Sequence, residues 1–268
     1  MKNETVDRFE DQALYEGWDD DYYRDGYNEF YDELMAELVR ELALSEGDSV
    51  LDAGCGPGVH SIRLARLGLR CTSIDFSSAA LDIARQRVEA AGFADRVEFR
   101  QEDLTQLTFG DESVPSIVCW GVMMHIPEPE KAIAELSRVL VPGGRMAVSM
   151  TNARSFDTFL MRDVAYRFKT PRTLVDSGSS SMGRYTVFRE HDSDLFVQAL
   201  YPDRVIAAFE RQGLRLQRHF GAQFTELYTQ FGSSAIRKIS LALNRFWYRS
   251  VRRPGPSIQN LLILEKPK

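Results

Sequence analysis

Short apolar runs alternate with amphipathic stretches along residues 48–152 of this chain. The apolar runs fit buried parallel strands, and the stretches between them carry apolar residues three and four positions apart, as helices do. Alternation of this kind is typical of an α/β protein with a parallel sheet. The predicted strands are 50–52, 70–75, 97–101, 116–121 and 145–150, and the predicted helices are 59–67, 79–91 and 130–140.

The segments on either side of this core have other patterns. Residues 1–47 lack strand-like alternation, although 28–44 carries apolar and aromatic residues at helical spacing. Residues 221–256 exceed what a hairpin needs and contain a basic amphipathic helix. The elements expected after residue 150 are a helix and a polar loop over 152–181, a helix at 202–213, a strand at 214–220 and a last strand at 257–265.

These patterns predict the domain organisation. We expect an N-terminal helical lid over residues 1–47 and one larger domain over 48–268. Cap insertions are expected in that domain at about 152–201 and 221–256, because neither segment is needed to complete the sheet.

Three glycines at alternate positions, Gly54, Gly56 and Gly58, follow the first predicted strand. Glycine lets the backbone turn sharply and lets a ligand approach, because a Cβ atom there would clash. The helix that follows offers a positive N-terminus to a bound group. A dinucleotide fingerprint would need a glycine where the chain has Val59. Asp52 instead puts a carboxylate before the loop, which would repel a pyrophosphate and suits a cationic, amino-bearing ligand.

Two further acids end the next strands. Asp75 lies 17 residues after Gly58, close to the spacing at which a carboxylate accepts hydrogen bonds from ribose hydroxyls. Phe76 is then placed to touch the base or the ribose. Asp103 would accept a hydrogen bond from an adenine amino group, with Leu104 as an apolar contact, or it would serve only as a turn or cap acid.

The order of these landmarks resembles that of the class I S-adenosylmethionine-dependent methyltransferases of the small-molecule type. The landmarks are Asp52 with its three glycines, Asp75, Asp103, a His-x-Pro segment and a Leu-x-Pro-Gly-Gly stretch that ends at residue 144. The resemblance covers about residues 48–152. It implies a Rossmann-like, doubly wound, seven-stranded sheet with an antiparallel last strand. It also implies S-adenosyl-L-methionine as cofactor and S-adenosyl-L-homocysteine as product.

The resemblance further implies how the cofactor is held. Asp52 and the glycine loop would flank its methionine part, Asp75 would take the ribose, and Asp103 with Leu104 would flank the adenine. Trp120 and Gly121 would lie near the sulfur. The expected cofactor contacts are Tyr23, Asp52, Gly54, Cys55, Gly56, Gly58, Asp75, Phe76, Asp103, Leu104, Trp120, Gly121 and His125.

A catalytic base is needed only if the acceptor arrives protonated, because methyl transfer depends mainly on alignment and on exclusion of water. His125 and His191 are the two candidates, since imidazole titrates near neutral pH. His125 precedes Ile-Pro at a turn and would alternatively only brace its loop. Many relatives carry paired histidines where this chain has Met123, Met124 and His125, which weakens the case for a catalytic histidine pair. No metal-ligand set is expected.

The expected acceptor is an oxygen or nitrogen atom of a small organic molecule, with secondary metabolites among the candidates. The aromatic N-terminal stretch and the inserted segments form the natural lid around it. Two alternatives stay open, a lipid-linked or membrane-associated acceptor met by the basic helix, and a non-catalytic cofactor-binding protein. The expected substrate contacts are Trp18, Tyr22, Tyr27, Met124, Arg184 and Tyr185.

Composition and charge narrow the picture further. The formal net charge of -6 argues against nucleic-acid binding. Cys55, Cys71 and Cys119 have unrelated spacings, which favours a reducing compartment, and the absence of an apolar leader indicates the cytoplasm. Residues 1–33 hold twelve acids and three bases, whereas 231–258 hold six bases and no acid. These are either two solvated faces or two segments that border one cleft. Nothing in the sequence sets the oligomeric state.

Overall fold

The computed structural model describes residues 9–11, 14–15, 26–160, 173–190, 193–226 and 234–268. Its strands are β1 (Ser49–Ala53), β2 (Arg70–Asp75), β3 (Val97–Gln101), β4 (Val114–Cys119), β5 (Leu140–Thr151), β6 (Thr173–Ser179), β7 (Gly183–Glu190), β8 (Ser193–Leu200), β9 (Arg215–Gln223) and β10 (Gln259–Glu265). Its longer helices are α1 (Tyr27–Glu41), α2 (Val59–Arg66), α3 (Ser78–Ala90), α4 (Pro129–Val139), α5 (Pro202–Arg211) and α6 (Ser234–Ser250).

Seven strands form one sheet in the order β3-β2-β1-β4-β5-β10-β9. The strands β1 to β5 pair in parallel. The last strand, β10, runs antiparallel to both β5 and β9. The structure therefore confirms the predicted Rossmann-like sheet with an antiparallel last strand.

Two buried layers cover the faces of this sheet, because successive residues of a strand point to opposite sides. Val118 and Ile263 pack on the face covered by α1, α2 and α6. Ile117 and Leu262 pack on the other face, against α4 and α5. With both faces covered, the carboxyl ends of the parallel strands remain as the natural place for a binding site.

The segment after β5 differs from expectation. The sequence predicts a helix and a polar loop over 152–181, and this is wrong for residues 173–179, which form β6. A second, three-stranded antiparallel sheet has the order β6-β7-β8. β6 is an exposed edge strand that is held by main-chain pairing with β7. Polar side chains such as that of Asp176 are therefore compatible with a strand at this position. Residues 161–172 lie outside the described residues.

The predicted basic helix lies between β9 and β10 as α6. Its Arg249 lies 2.8 Å from Glu33 of α1, and Arg252, two residues beyond the end of α6, lies 2.6 Å from Glu37 of α1. The segregated charges of the sequence thus pair with one another across two helices. Within the described ranges, no helix combines the length and apolar character that crossing a bilayer requires.

Candidate cofactor-binding site

A cavity opens where the loops after β1, β2, β3 and β4 meet. Parallel strands bring these loops to one edge of the sheet, where open α/β sheets bind ligands. Its lining residues are Phe9, Tyr15, Asp52, Gly54, Cys55, Gly56, Pro57, Val59, His60, Asp75, Phe76, Glu102, Asp103, Leu104, Thr105, Trp120, Gly121, Val122, His125, Ile126 and Pro127. Of the expected cofactor contacts, Gly58 is not among them and Tyr23 lies outside the described residues.

The glycine loop turns sharply, with a positive φ at Gly54, Gly56 and Gly58 of 80°, 50° and 80°. Side chains rarely adopt such angles without strain, so the turn explains the three glycines. The N–H groups of Gly54 and Cys55 both donate to the carbonyl of Ile74 at 2.8 Å, which ties the loop to β2.

The three glycines differ in what surrounds them. A Cβ atom on Gly54 would lie 2.3 Å from the side chain of Val122, and one on Gly58 would lie 3.0 Å from Ala84. These two positions are tight because of the protein's own packing, not only because a ligand approaches. A Cβ atom on Gly56 would meet no heavy atom within 4 Å. Gly56 is therefore the loop residue that leaves open space for a ligand.

Asp75 ends β2 and faces the same loop. Its carboxylate accepts a hydrogen bond from the Gly56 N–H at 2.8 Å and another from the Ser77 N–H at 3.0 Å. Burial raises the pKa of Asp75 to about 6, against the opposing effect of these two donors. A buried carboxylate so oriented has the chemistry to accept hydrogen bonds from vicinal hydroxyls, as predicted for the ribose.

Asp52 is the next-to-last residue of β1 and is almost fully buried. It accepts a hydrogen bond from the Ser61 hydroxyl at 2.6 Å, and Ser61 in turn accepts from Ser73 at 3.0 Å. Burial raises the pKa of Asp52 to about 7, and the charge of Asp75 adds to this rise. A positive charge nearby would favour the ionised form, so the site suits a cationic ligand.

The two acids that follow β3 make different contacts. Asp103 accepts hydrogen bonds from the N–H and the hydroxyl of Thr105 at 2.8 and 2.7 Å, which makes it a turn acid. It also lines the cavity beside Leu104, so the predicted contact with adenine remains open. Glu102 is buried and accepts a hydrogen bond from the Thr108 N–H at 2.9 Å. It is not among the site residues predicted from the sequence.

Comparisons with known proteins bear on this arrangement. The family model described as "Methyltransferase domain" matches residues 50–144. Methyltransferase GfsG of Streptomyces halstedii is 35% identical over 53% of this chain and 51% of its own length. The ubiquinone biosynthesis O-methyltransferase of Coxiella burnetii strain Dugway 5J108-111 is 27% identical over 70% of this chain and 73% of its own length. The chain thus spans about half the length of the first of these relatives.

A solved structure agrees with these sequence matches. An S-adenosylmethionine-dependent methyltransferase from Clostridium acetobutylicum ATCC 824 has a TM-score of 0.63 over 96% of this chain and 98% of its own. At 12% identity this likeness shows the fold. Residues 50–144 therefore form a methyltransferase domain with the fold of the class I S-adenosylmethionine-dependent methyltransferases. Its cofactor is S-adenosylmethionine.

Two aromatic rings meet at the β4 side of the cavity in this methyltransferase. Trp120 follows β4 directly, and its ring lies 5.2 Å from the ring of His60 in the first turn of α2. The Tyr31 ring of α1 lies 6.1 Å from Trp120 and 5.9 Å from His60. Burial and the nearby Arg63 charge hold the pKa of His60 well below its usual range. His60 is not among the site residues predicted from the sequence, because the pattern there indicates only a helix over 59–67.

His125 contacts the second sheet, β6–β8. Its Nδ1 lies 3.1 Å from the carbonyl oxygen of Phe196 in β8. Burial lowers the pKa of His125 to about 4, so the ring is neutral at pH 7. Gln198 of β8 is fully buried and donates to the carbonyls of Met123 and Ile126 on either side. This geometry fits the bracing alternative, while a catalytic role of His125 stays a prediction.

The first described residues of the chain cover the cavity near Phe76. The Phe9 ring lies 5.5 Å from the Phe76 ring and 5.1 Å from that of His125. The Glu10 carboxylate accepts hydrogen bonds from the Ser78 N–H and hydroxyl and from the Ala79 N–H, at 3.0 to 3.1 Å. It therefore caps α3. We call residues 9–11 and 14–15 together with the sheet β6–β8 the cap.

The expected substrate contacts do not gather at the cavity. Tyr27, the first residue of α1, is buried in the core. Tyr185 stacks on Phe196 at 5.7 Å in the second sheet, with Arg184 beside it on β7. None of these three residues lines the cavity, and their contact with an acceptor stays a prediction.

Other predicted residues lie beside the cavity or beyond description. The sulfur of Met124 accepts a hydrogen bond from the Thr151 hydroxyl at 3.6 Å, next to but not among the lining residues. The predicted contacts Trp18, Tyr22 and Tyr23 and the predicted base His191 lie outside the described residues. In the described part of the chain, no three His, Cys, Asp or Glu side chains come together as a metal site would require.

Proposed function

We propose that this methyltransferase transfers a methyl group from S-adenosylmethionine to an oxygen or nitrogen atom of a small organic molecule. The observation that carries the proposal is that three acids near the carboxyl ends of neighbouring strands all line one cavity: Asp52 in β1, Asp75 at the end of β2 and Asp103 after β3. When bound, S-adenosylmethionine supplies an electrophilic methyl group on a positively charged sulfur.

The residues of the cavity fit that cofactor in shape and in charge. Gly56 leaves open space where any side chain would project. The Asp75 carboxylate would hold the ribose, and Asp103 with Leu104 would lie beside the adenine. Asp52, whose pKa burial raises to about 7, would take its ionised form next to a cation. The lining residues include no lysine or arginine, so the described part of the cavity favours a positively charged guest.

The chain's own contribution to the reaction is orientation and exclusion of water. Phe9 and Tyr15 close over the cavity, and Gln198 holds the turn that carries His125. His125, or His191 beyond the described residues, would receive a proton if the acceptor carries one. An oxygen acceptor is supported by the Coxiella relative, which is named as an O-methyltransferase.

A lipid-linked acceptor is the second candidate. It is favoured by an apolar stripe on α6, where the side chains of Ile239 and Phe246 are 67% and 59% exposed and Leu243 is 36% exposed. A cytoplasmic location is supported by three cysteines that are buried and free.

One experiment tests the main proposal. The purified chain is titrated with S-adenosylmethionine in a calorimeter and then incubated with phenols, amines and carboxylates. We expect binding and, with one class of acceptor, a mass gain of one methyl group together with S-adenosylhomocysteine. Binding without any product from these classes or from extracts would favour the non-catalytic alternative, and absence of binding would overturn the proposal.

A further inference from the structure

The cavity has two chemically different ends. Asp75, Glu102 and Asp103 lie at the β2 and β3 side, whereas Trp120 and His60 lie at the β4 side. If the cofactor lies as proposed, with its adenine toward β3, its sulfur lies toward β1 and β4. The aromatic end is then the place where the methyl group is transferred and where the acceptor must bind.

The polar atoms of this aromatic end are unusual. The Trp120 side chain is 5% exposed, and its Nε1–H is buried with no hydrogen-bond partner among the described residues. Buried donors without a partner are rare in folded proteins, and a bound ligand is one way to satisfy them. The Trp247 indole offers a contrast, because its N–H donates to the Ser257 hydroxyl at 2.7 Å.

The neighbouring imidazole complements the indole. His60 lies 5.2 Å from Trp120 between ring centroids, and burial with the Arg63 charge keeps its pKa low. A neutral imidazole offers one donor and one acceptor nitrogen. An indole donor and an imidazole acceptor side by side match a hydroxyl group, which both donates and accepts.

The charges of the cavity exclude another class of acceptor. Four carboxylates, those of Asp52, Asp75, Glu102 and Asp103, line it, and none of its described lining residues is a lysine or an arginine. A carboxylate or phosphate on the acceptor would therefore be repelled. The two aromatic rings favour a flat, apolar partner that stacks or packs edge to face.

We propose that His60 and Trp120 form the acceptor subsite, and that it takes an uncharged aromatic ring that bears a hydroxyl group. The inference rests on the proposed function, since it needs the cofactor to define the methyl end. In this subsite Trp120 donates to the hydroxyl oxygen and His60 accepts from the hydroxyl hydrogen.

The test uses three naphthalene probes that differ at one position. Calorimetric titrations of the S-adenosylhomocysteine-loaded protein compare 2-naphthol with 2-methoxynaphthalene, which cannot donate, and with 2-naphthoate, which is anionic. We expect 2-naphthol to bind about tenfold more tightly than its methyl ether, the effect of one good hydrogen bond. The naphthoate is expected to bind more weakly than either.

Substitutions then test whether Trp120 and His60 cause the preference for 2-naphthol over its methyl ether. Trp120→Phe and His60→Phe should each remove most of it, whereas His60→Gln, which keeps an acceptor atom, should retain part. Trp247→Phe removes an indole N–H outside the cavity and should leave the preference unchanged. Affinity for S-adenosylhomocysteine, measured for each variant, shows that the cofactor half remains folded.

The outcomes separate the two proposals. Equal affinity for 2-naphthol and its ether, a preference that survives both phenylalanine variants, or tighter binding of 2-naphthoate would overturn the subsite. So would a failure of all three probes to bind while S-adenosylhomocysteine binds. If S-adenosylhomocysteine itself does not bind the wild-type chain, the proposed function fails and this assignment fails with it.

Discussion

The cofactor half of the cavity and the cap that covers it are held in place by different kinds of contact. The glycine loop of the cofactor half is held by main-chain groups, because the N–H groups of Gly54 and Cys55 both donate to the Ile74 carbonyl. The cap is held by side chains, such as Glu10 on α3 and Gln198 on the turn before α4.

This difference bears on how such a protein changes in evolution. Main-chain contacts persist through many substitutions, because every residue supplies the same N–H and C=O. Side-chain contacts are lost with one substitution. The cofactor half is therefore expected to stay constant among relatives, while the cap and the acceptor it encloses vary.

The largest expected effect comes from substituting Gly54 in the loop that main-chain hydrogen bonds hold. Gly54→Val would place a Cβ atom 2.3 Å from the Val122 side chain at a φ of 80°. We expect loss of measurable S-adenosylhomocysteine binding and a fall in unfolding free energy of about 3 kcal/mol, from strain and overpacking together. Gly92→Val is the matched control, since Gly92 has a φ of 79° and no heavy atom near its Cβ position. If both variants behave alike, the contact with Val122 is not the cause.

Asp75→Ala should have the next largest effect. The substitution removes the acceptor of the Gly56 and Ser77 N–H groups as well as the predicted ribose contact. Affinity for S-adenosylhomocysteine is expected to fall about 10- to 100-fold, the range of ~1.5–3 kcal/mol for hydrogen bonds to a charged group. Asp82→Ala, which removes an exposed acid of α3, should leave affinity unchanged. A loss below twofold for Asp75→Ala would place the ribose contact elsewhere.

The buried carboxylate of Asp52 should make cofactor binding depend on pH. Its pKa is raised to about 7 by burial, so in the free protein this group favours folding below pH 4 and loses that contribution as pH rises toward 7. A cation beside it favours the ionised form, so affinity for S-adenosylmethionine should rise about tenfold from pH 6 to pH 8, with proton release. Asp52→Asn should abolish that rise.

Calorimetry in buffers of different ionisation enthalpy measures the released proton directly. S-adenosylhomocysteine serves as the control ligand, because its sulfur carries no charge, and it should show a smaller rise. An equal rise for both ligands, or one that survives in Asp52→Asn, would assign the effect to another group such as Asp75, whose pKa is raised to about 6.

The same division explains what sequence reasoning achieved. The strands β2 and β3 were predicted at their observed bounds, and Asp52 and Asp75 at the cavity, because they follow from periodicity and from a motif that main-chain geometry requires. The edge strand β6 and the contacts of Glu10 were not predicted. They depend on pairing between segments far apart in sequence, which local patterns do not encode.

Glu10→Ala tests the cap with a smaller expected effect. It removes the acceptor for the Ser78 and Ala79 N–H groups and thus a cap of α3. Loss of a helix cap typically costs ~1 kcal/mol, so we expect S-adenosylhomocysteine to dissociate about fivefold faster in stopped-flow measurements. Glu46→Ala, at an exposed acid outside the cavity, is the control. An unchanged dissociation rate would show that residues 9–11 and 14–15 do not gate the cofactor.

The smallest expected effect concerns the cations of α6 and of the turn that follows it. Arg245, Arg249 and Arg252 meet Glu29, Glu33 and Glu37 of α1 at 3.6, 2.8 and 2.6 Å. Exposed ion pairs contribute about 0–1 kcal/mol each, so changing Arg249 to Gln should lower stability only slightly.

Because these cations are paired within the chain, they have little charge left for a lipid surface. We therefore expect no salt-sensitive co-sedimentation with anionic vesicles, either for the wild type or for the triple variant Arg245→Gln, Arg249→Gln and Arg252→Gln. Any binding that does occur should be insensitive to salt and lost on changing Ile239 and Phe246 to Ser, since both are exposed. Salt-sensitive binding that the triple variant abolishes would favour the lipid-linked acceptor, because the cations would then prefer lipid headgroups to the acids of α1.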